Sequence, residues 1–316
     1  MQSRPLGRSG LSIPPLVLGG NVFGWTADRA QSFRILDAAL DHGLTAIDTA
    51  DMYSAWVPGN QGGESETIIG EWLTQRGNRD RITLFTKVGM AMGDGRKGLS
   101  PDWIRHEIEA SLRRLKTDHV DLYQAHQDDP DTPLEETLET FAALIREGKV
   151  RALGASNYTA DRLREALDVS EKHKLPRYES LQPHYNLIER SDYESGLEKV
   201  AADAGLGVIP YYALASGFLT GKYRSEADLK DRARADGVRA YVTSERGQKI
   251  LGALDAVSSR HDVDPTQVAL AWAIARPSIT APIVSASRPE QIADLARAGT
   301  LSLTADDIKA LDEASA

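Results

Sequence analysis

The sequence contains no cysteine among its 316 residues. Disulfide bonds, thiolate catalysis and cysteine-ligated metal sites are therefore excluded, and we expect a cytoplasmic protein. Residues 1–9 lack the apolar segment of a signal peptide. No apolar run in the chain approaches the ~20 residues that a helix needs to span a bilayer, so we expect no membrane partner.

The chain also lacks an excess of positive charge. Its net charge is -9 and it has no sustained basic run, which argues against nucleic acid or an anionic membrane as its main partner. A glycine-rich G-x-G-x-x-G turn is missing as well, because residues 19–24 read GGNVFG. Without that turn, we do not expect a doubly wound dinucleotide-binding sheet.

What the chain does contain is a regular alternation of strand-like and helix-like segments. The strand candidates are residues 16–19, 46–48, 82–87, 122–126, 150–156, 179–183, 207–211 and 280–284. Helical patterns lie between them, for example at residues 28–42, 102–115, 134–147 and 192–204. This alternation predicts one closed (β/α)8 TIM barrel over residues 1–316, preceded by a β-hairpin at residues 5–13. The polar residues 221–242 are expected to form a ligand-contacting loop.

Three of the strand candidates deliver one ionisable side chain each, Asp48, Lys87 and His126, and Tyr53 follows shortly after Asp48. In a barrel of this type the active site lies at the carboxyl ends of the strands. A phenol has an ordinary pKa of about 10. A nearby ammonium lowers that pKa, so we expect Lys87 to make Tyr53 a usable acid near neutral pH. With Asp48 holding the lysine and His126 directing a carbonyl oxygen, the set predicts a carbonyl reductase.

Four fragments carry a resemblance to a known family. IDTADMY at residues 47–53, the lysine in LFTKVG at 84–89, DLYQAH at 121–126 and GASNY at 154–158 resemble the signatures of the aldo-keto reductases. The resemblance extends from about Arg4 to the last helix. It implies the barrel fold, reduction of a small-molecule carbonyl substrate with NAD(P)H, and the same four catalytic positions.

The later strand ends predict where a nicotinamide would bind. Ser156 and Asn157 can hydrogen-bond a carboxamide, Gln182 offers a third amide contact, and the flat ring of Tyr211 can stack on the nicotinamide. In the aldo-keto reductases the matching positions hold the nicotinamide in this manner. A plainer alternative for Ser156 and Asn157 is the cap of the following helix.

Residues 214–223, LASGFLTGKY, resemble the pyrophosphate-binding loop of the family. The loop begins at Leu214. Backbone N–H groups of Ser216 and Gly217 would hold phosphate oxygens, and Lys222 would pair with them.

The residues after the last strand candidate are expected to bind the adenosine end of the cofactor. Ser287 and Arg288 precede a short helix and would hold a ribose 2′-phosphate, while Gln291 would contact the adenine. We therefore expect NADPH as the cofactor. The family often has Arg or Lys at the position of Ser287, and this departure leaves NADH as a weaker alternative.

Three aromatic residues, Phe23, Trp25 and Trp56, lie in predicted loops beside the mouth of the barrel. Most aromatic side chains belong to cores, so exposed ones predict a pocket for an apolar or ring-bearing carbonyl compound. The alternative is that these rings pack the loops on each other.

Other interpretations of the catalytic set remain open at this stage. Asp48 could cap a loop, and Tyr53 and His126 could be packing residues. A metal-dependent hydrolase would use clustered ligands, but neither H-x-H nor H-x-x-x-H occurs, Lys87 would repel a cation, and we expect no metal. A nucleotide-sensing subunit with little turnover is the second hypothesis, because some relatives of the family act as auxiliary subunits of channels.

Overall fold

The computed structural model describes residues 1–230 and 235–316. Part of the predicted ligand-contacting loop at 221–242 therefore lies outside the described residues. The chain begins with the predicted hairpin, in which β1 (Arg4–Pro5) pairs antiparallel with β2 (Ser12–Ile13).

A single sheet of eight strands follows, and its order is β10-β3-β4-β5-β6-β7-β8-β9 with parallel pairing throughout. The Thr280 N–H donates to Val208 O at 2.8 Å and the Ile283 N–H donates to Pro210 O at 2.8 Å. These bonds join the last strand of the chain, Ile283–Val284, to the strand Gly207–Val208 and close the barrel. The predicted (β/α)8 barrel is thus confirmed. The strands are β3 (Val17–Gly19), β4 (Ala46–Asp48), β5 (Thr83–Val88), β6 (Val120–Ala125), β7 (Val150–Ser156), β8 (Tyr178–Gln182), β9 (Gly207–Val208) and β10 (Ile283–Val284).

Helices lie between the strands, and several begin at side-chain caps. The Ser100 side chain accepts from the Trp103 N–H, with a proline in the first turn, and Thr159 rather than Ser156 or Asn157 caps the fifth helix. The helices are α1 (Arg29–Asp41), α2 (Glu64–Arg76), α3 (Pro101–Leu115), α4 (Leu134–Arg146), α5 (Ala160–His173), α6 (Glu198–Ala204), α7 (Ala235–Thr243), α8 (Glu245–His261), α9 (Pro265–Ile274), α10 (Glu290–Ala298) and α11 (Ala305–Ala314).

The helix expected at residues 192–204 differs from the prediction. Its first part, Tyr193–Leu197, is π-helical, and only Glu198–Ala204 is α-helical. Gly196 has a non-helical backbone conformation inside the first part. The change of helix type at this point follows from that local interruption of the hydrogen-bond ladder.

The barrel interior changes from apolar to polar along the strands. Successive side chains of a strand point to opposite faces, so residues two apart share a face. One buried cluster includes Ala46, Phe85 and Leu122 and also contains residues of the hairpin; it forms the apolar part of the barrel interior. Two residues further along the same strands come Asp48, Lys87 and Gln124, all buried. The larger apolar cluster lies between the sheet and the helices.

Strand β8 contains an irregularity that reorients its side chains. Leu153 pairs with Tyr178 but the next residue, Gly154, pairs with Ser180, so one extra residue is inserted in β8. Such a bulge shifts the alternation of faces by one residue. Tyr178 therefore packs in the outer cluster, while Ser180 and Gln182 face the barrel interior.

Candidate active site

The centre of the site is the buried side chain of Lys87, which has no exposed surface. Its Nζ donates to Asp48 Oδ2 at 2.6 Å, to Thr49 O at 2.8 Å and to Tyr53 OH at 2.9 Å. Three acceptors satisfy the three hydrogens of an ammonium. An unpaired buried charge is costly, so this lysine is tolerated because the carboxylate of Asp48 accompanies it.

The pKa of Tyr53 does not follow the sequence prediction. Burial, together with the negative charge of Asp48, raises the pKa of the phenol well above 10. The expected net lowering by Lys87 is wrong, because desolvation and the Asp48 carboxylate both disfavour the phenolate. Tyr53 is therefore fully protonated at neutral pH, which is the state that a proton donor needs.

His126 lies beside Tyr53, with ring centroids 5.9 Å apart and an edge-to-face arrangement. Burial and the positive charge of Lys87 hold the pKa of His126 well below its ordinary value. The imidazole is therefore neutral near pH 7. Its Nδ1 is buried and has no hydrogen-bond partner among residues 1–230 and 235–316.

Two glutamines contact the other oxygen of Asp48. Gln124 Nε2 donates to Asp48 Oδ1 at 3.1 Å, and Gln182 Nε2 donates to the same atom at 3.0 Å. The sequence prediction assigned no role to Gln124. The signal that could have found it is a polar residue at an inward position of an otherwise apolar strand, two residues after Leu122 and two before His126.

The residues predicted to bind a carboxamide are joined to one another by hydrogen bonds. Ser156 Oγ donates to Gln182 O at 2.8 Å. Asn157 Nδ2 donates to His126 O at 2.8 Å, and Asn157 Oδ1 accepts from Tyr211 OH at 2.8 Å. These bonds connect the ends of neighbouring strands, and they bring the predicted nicotinamide-binding residues next to the predicted catalytic ones.

Tyr211 is stacked on His184, with ring centroids 5.2 Å apart and an angle of 12° between the planes. One face of the Tyr211 ring is thus covered by the imidazole. Tyr212 is 50% exposed, and its ring meets those of Tyr211 and His184 in edge-to-face contacts, with centroids 5.2 and 5.5 Å away. The assignment of Tyr211 rather than Tyr212 as the stacking residue stays a prediction.

The loop that begins at Leu214 has an unusual backbone. Ser216 and Gly217 both have positive φ, of 56° and 97°, and successive residues of this kind form concave anion sites. Lys222 Nζ lies 3.0 Å from the point where a Cβ on Gly217 would stand. The Gly217 N–H, however, already donates to Leu214 O at 2.9 Å. Of the predicted phosphate contacts, the geometry therefore disfavours this one.

At the start of α10, the side chain of Gln291 folds back onto the turn that precedes the helix. Its Oε1 accepts from the Ser287 N–H at 2.9 Å and from the Arg288 N–H at 3.0 Å. Within the described part of the chain, no carboxylate pairs with the Arg288 guanidinium, whereas Arg224 forms an ion pair with Asp255 at 2.7 Å. Arg288 is therefore the cation of this region that is available to an anion.

Two of the three predicted substrate-contacting aromatics line the mouth. Trp56 is 43% exposed, and its ring lies 5.7 Å from that of Trp25 and 6.0 Å from that of Tyr53. Phe23 has no exposed surface and belongs to the apolar cluster under the helices. The expectation of an exposed ring at Phe23 is wrong, because its loop folds back on the barrel through the Ser54 Oγ bond to Phe23 O at 2.8 Å.

A group of buried carboxylates lies behind the lysine. Asp51 is fully buried and its Oδ2 has no partner in the described parts of the chain. Burial and the neighbouring Glu66 raise its pKa well above the ordinary value. Glu66 itself accepts from Thr86 Oγ1 at 2.5 Å and from Arg114 Nε at 2.6 Å.

Two features are absent from the described residues. No group of three or more His, Cys, Asp or Glu side chains is arranged to hold a metal ion. None of the helices there has the length and apolarity to cross a membrane.

Comparison with known proteins identifies the family. The model of the Aldo/keto reductase family matches residues 15–316. The chain is 36% identical to the "Uncharacterized oxidoreductase YrpG" of Bacillus subtilis, over 99% of this chain and 95% of that protein. It is 31% identical to the "Aldo-keto reductase YhdN" of the same organism, over 95% and 88% of the two chains. It is also 31% identical to a "Putative voltage-gated potassium channel subunit beta" of Schizosaccharomyces pombe, over 98% and 92%. The chain therefore belongs to the aldo/keto reductase family of oxidoreductases.

Proposed function

We propose that this protein reduces an aldehyde or ketone to the alcohol and that Tyr53 is the proton donor. The observation that carries the proposal is the position of Lys87 Nζ, 2.9 Å from Tyr53 OH and 2.6 Å from Asp48 Oδ2 in a buried site. A structural tyrosine does not need a buried ammonium at its hydroxyl. An acid that must become a phenolate during the reaction does, since the ammonium stabilises the anion as it forms.

Each residue of the set has a distinct task in this mechanism. The Tyr53 phenol is protonated before the reaction because its pKa is raised, and it gives its proton to the carbonyl oxygen. Lys87 stabilises the phenolate that remains. Asp48 fixes the lysine. The neutral His126 carries one N–H, which can donate to the same carbonyl oxygen and set its direction.

The aldo/keto reductases use a nicotinamide cofactor, which supplies the hydride. The residues present fit such a group: Tyr211 is a partly exposed ring whose orientation is held by its stack on His184, and Gln182, Asn157 and Ser156 lie around the catalytic end of the site. We infer NADPH as the preferred form, with Arg288 holding the 2′-phosphate, and NADH as a weaker alternative. Lys222 is the cation for the pyrophosphate, beside the left-handed residues of its loop.

The substrate class is proposed from the mouth of the site. The exposed Trp56 contacts the Tyr53 ring and packs edge-to-face on the partly exposed Trp25. Such walls favour a carbonyl compound with an apolar or ring-bearing substituent.

The decisive experiment compares Tyr53→Phe with the parent on a panel of aldehydes and ketones, following the absorbance of NADPH. Because the variant keeps the ring and removes the acid, we expect kcat to fall by at least ~100-fold with little change in NADPH affinity. Tyr158→Phe is the matched control, since it removes a buried hydroxyl that bonds Tyr178 OH at 3.1 Å outside the site. Near-normal turnover by Tyr53→Phe would refute the assignment.

The same panel separates the enzyme from a nucleotide-sensing subunit. The similarity to a putative potassium channel subunit beta makes that alternative worth testing. A sensor would bind NADPH but show almost no turnover with any carbonyl compound, whereas the proposed enzyme shows steady-state turnover.

A further inference from the structure

Gln124 is a buried amide that the reaction itself does not use. It lies on β6, its side chain has no exposed surface, and both of its functional groups are engaged. Its Nε2 donates to Asp48 Oδ1 at 3.1 Å, and its Oε1 accepts from Gln182 Nε2 at 3.0 Å. One side chain thus bridges a residue of the proton-donor group and a residue of the nicotinamide end.

The barrel provides the space for this side chain. Gln124 pairs with Gly154 of β7. A Cβ on Gly154 would stand 2.9 Å from Gln124 Cγ and 2.4 Å from Ser180 Oγ, closer than such atoms approach. The glycine in the GASNY segment is therefore required by the two polar side chains that face it.

The two oxygens of Asp48 have different partners. Oδ1 accepts from Gln124 and Gln182, at 3.1 and 3.0 Å, while Oδ2 accepts from Lys87 at 2.6 Å. A carboxylate held by two amides on one oxygen cannot rotate freely. Its second oxygen is consequently directed at the lysine, and the lysine at the Tyr53 hydroxyl.

The same bonds fix which way round each amide points. A carboxylate oxygen only accepts, so the NH2 group of Gln124 must face Asp48. Its carbonyl must then face Gln182. The NH2 group of Gln182 donates its two hydrogens to Asp48 and Gln124. Gln182 is then left with only its carbonyl oxygen, which can accept from the N–H of a carboxamide.

We propose that Gln124 is a positioning residue that aligns Asp48 for the proton-donor group and orients Gln182 toward the nicotinamide. This inference rests on the proposed function. It adds a residue that links the two halves of the site through one hydrogen-bonded amide.

The first test replaces Gln124 with methionine, which has similar length but no amide. We expect kcat to fall at least ~10-fold and the NADPH dissociation constant to rise about tenfold, the scale expected when buried hydrogen-bonding groups lose their partner. The matched control is Tyr123→Phe, on the same strand and equally buried, whose hydroxyl has no partner among the described residues. Parent-like kcat and NADPH affinity in Gln124→Met would overturn the proposal, as would equal losses in the control.

A double-mutant cycle on NADPH binding isolates the link to Gln182 without using activity. Gln124→Met, Gln182→Met and the double variant are titrated by NADPH fluorescence, with circular dichroism to confirm that each is folded. If Gln124 acts through Gln182, its substitution has little further effect in the Gln182→Met background. Independent, multiplying losses would contradict the coupling.

Gln124→Glu supplies a second variant if the methionine protein does not fold. A protonated carboxyl has one donor and one acceptor and can replace the amide, and the nearby Asp48 will raise the pKa of the new carboxyl. We expect kcat relative to the parent to be retained at low pH and lost as pH rises. A pH-independent ratio would refute the role. If the parent binds no NADPH, the proposed function fails first, and it does so independently of these comparisons.

Discussion

At the residue scale, the site depends on how a lysine can be buried next to an acid and a phenol. Burial lowers the pKa of Lys87, and the carboxylate of Asp48 opposes that shift. Asp48 Oδ2 and Tyr53 OH both accept a hydrogen bond from the Lys87 ammonium. If the phenol becomes a phenolate, the ammonium can therefore shift its interaction from the carboxylate to the phenolate oxygen. The proton transfer that we propose then needs no large movement, which is the advantage of a pre-organised site.

A prediction at this scale concerns the choice of cofactor. Arg288 lacks a carboxylate partner in the described structure, and a guanidinium can bind a 2′-phosphate through two parallel hydrogen bonds. Arg288→Ala should weaken NADPH binding by roughly tenfold or more, since each charge-assisted contact contributes about 1.5–3 kcal/mol. NADH has no such phosphate, so its dissociation constant should change little.

Fluorescence titration of both cofactors provides the measurement. Arg224→Ala is the control, because that arginine is already paired with Asp255 and its loss should alter neither constant. If Arg288→Ala weakens the binding of NADPH and NADH equally, Arg288 supports the structure of the loop and does not bind the 2′-phosphate.

At the scale of elements, helix α2 approaches helix α3 so closely that a glycine separates them. A Cβ on Gly70 would stand 2.1 Å from Arg114 O, a backbone atom that cannot move aside without shifting α3. That contact matters to the site, because α2 carries Glu66 and α3 carries Arg114, whose ion pair lies behind Lys87.

We therefore predict that Gly70→Ala lowers the free energy of unfolding by at least about 2 kcal/mol through overpacking. Gly252→Ala is the matched control in another helix, α8, where a new Cβ meets nothing within 4 Å. It should raise the free energy of unfolding by about 0.5–1 kcal/mol, because alanine suits a helix better than glycine. Urea unfolding curves measure both, and a Gly70→Ala protein as stable as the parent would disprove the close packing.

The bulge in β8 is another feature of this scale. If β8 were regular from Tyr178 to Gln182, with no bulge, the alternation set by Tyr178 would send Gln182 to the outer face. The sequence run around residues 179–183 predicts a strand but not this insertion. The direction of the Gln182 side chain therefore could not be read from the strand pattern alone.

At the scale of the whole molecule, the buried titratable groups make stability depend on pH. The folded-state pKa of His126 lies well below its ordinary value. Near pH 6.5 this histidine therefore binds a proton in the unfolded chain but stays neutral in the folded one. Its contribution to stability is complete above that pH and is lost as the pH falls. Asp51 acts in the opposite sense: its raised pKa favours the folded state at low pH and that contribution is lost as the pH rises.

The comparison of parent with His126→Asn separates these two effects. We expect the difference in unfolding free energy between the two proteins to change by up to about 1.4 kcal/mol per pH unit between pH 6.5 and pH 5. The parent should lose stability relative to the variant as the pH falls. Urea unfolding at several pH values tests this, and a difference that stays constant with pH would show that His126 is not held neutral.

The sequence by itself determined the barrel and the strand ends that carry Asp48, Lys87 and His126, because alternation and element order are local properties of the chain. It also placed Trp25 and Trp56 beside the predicted mouth. Only the tertiary structure decided the contact of Asp48 with Gln124, 76 residues away, and with Gln182, 134 residues away. Such contacts depend on strand register, a bulge and a glycine on a third strand. Burial likewise decided the direction of the Tyr53 pKa and the position of Phe23, since desolvation is a property of the packed molecule and not of any segment.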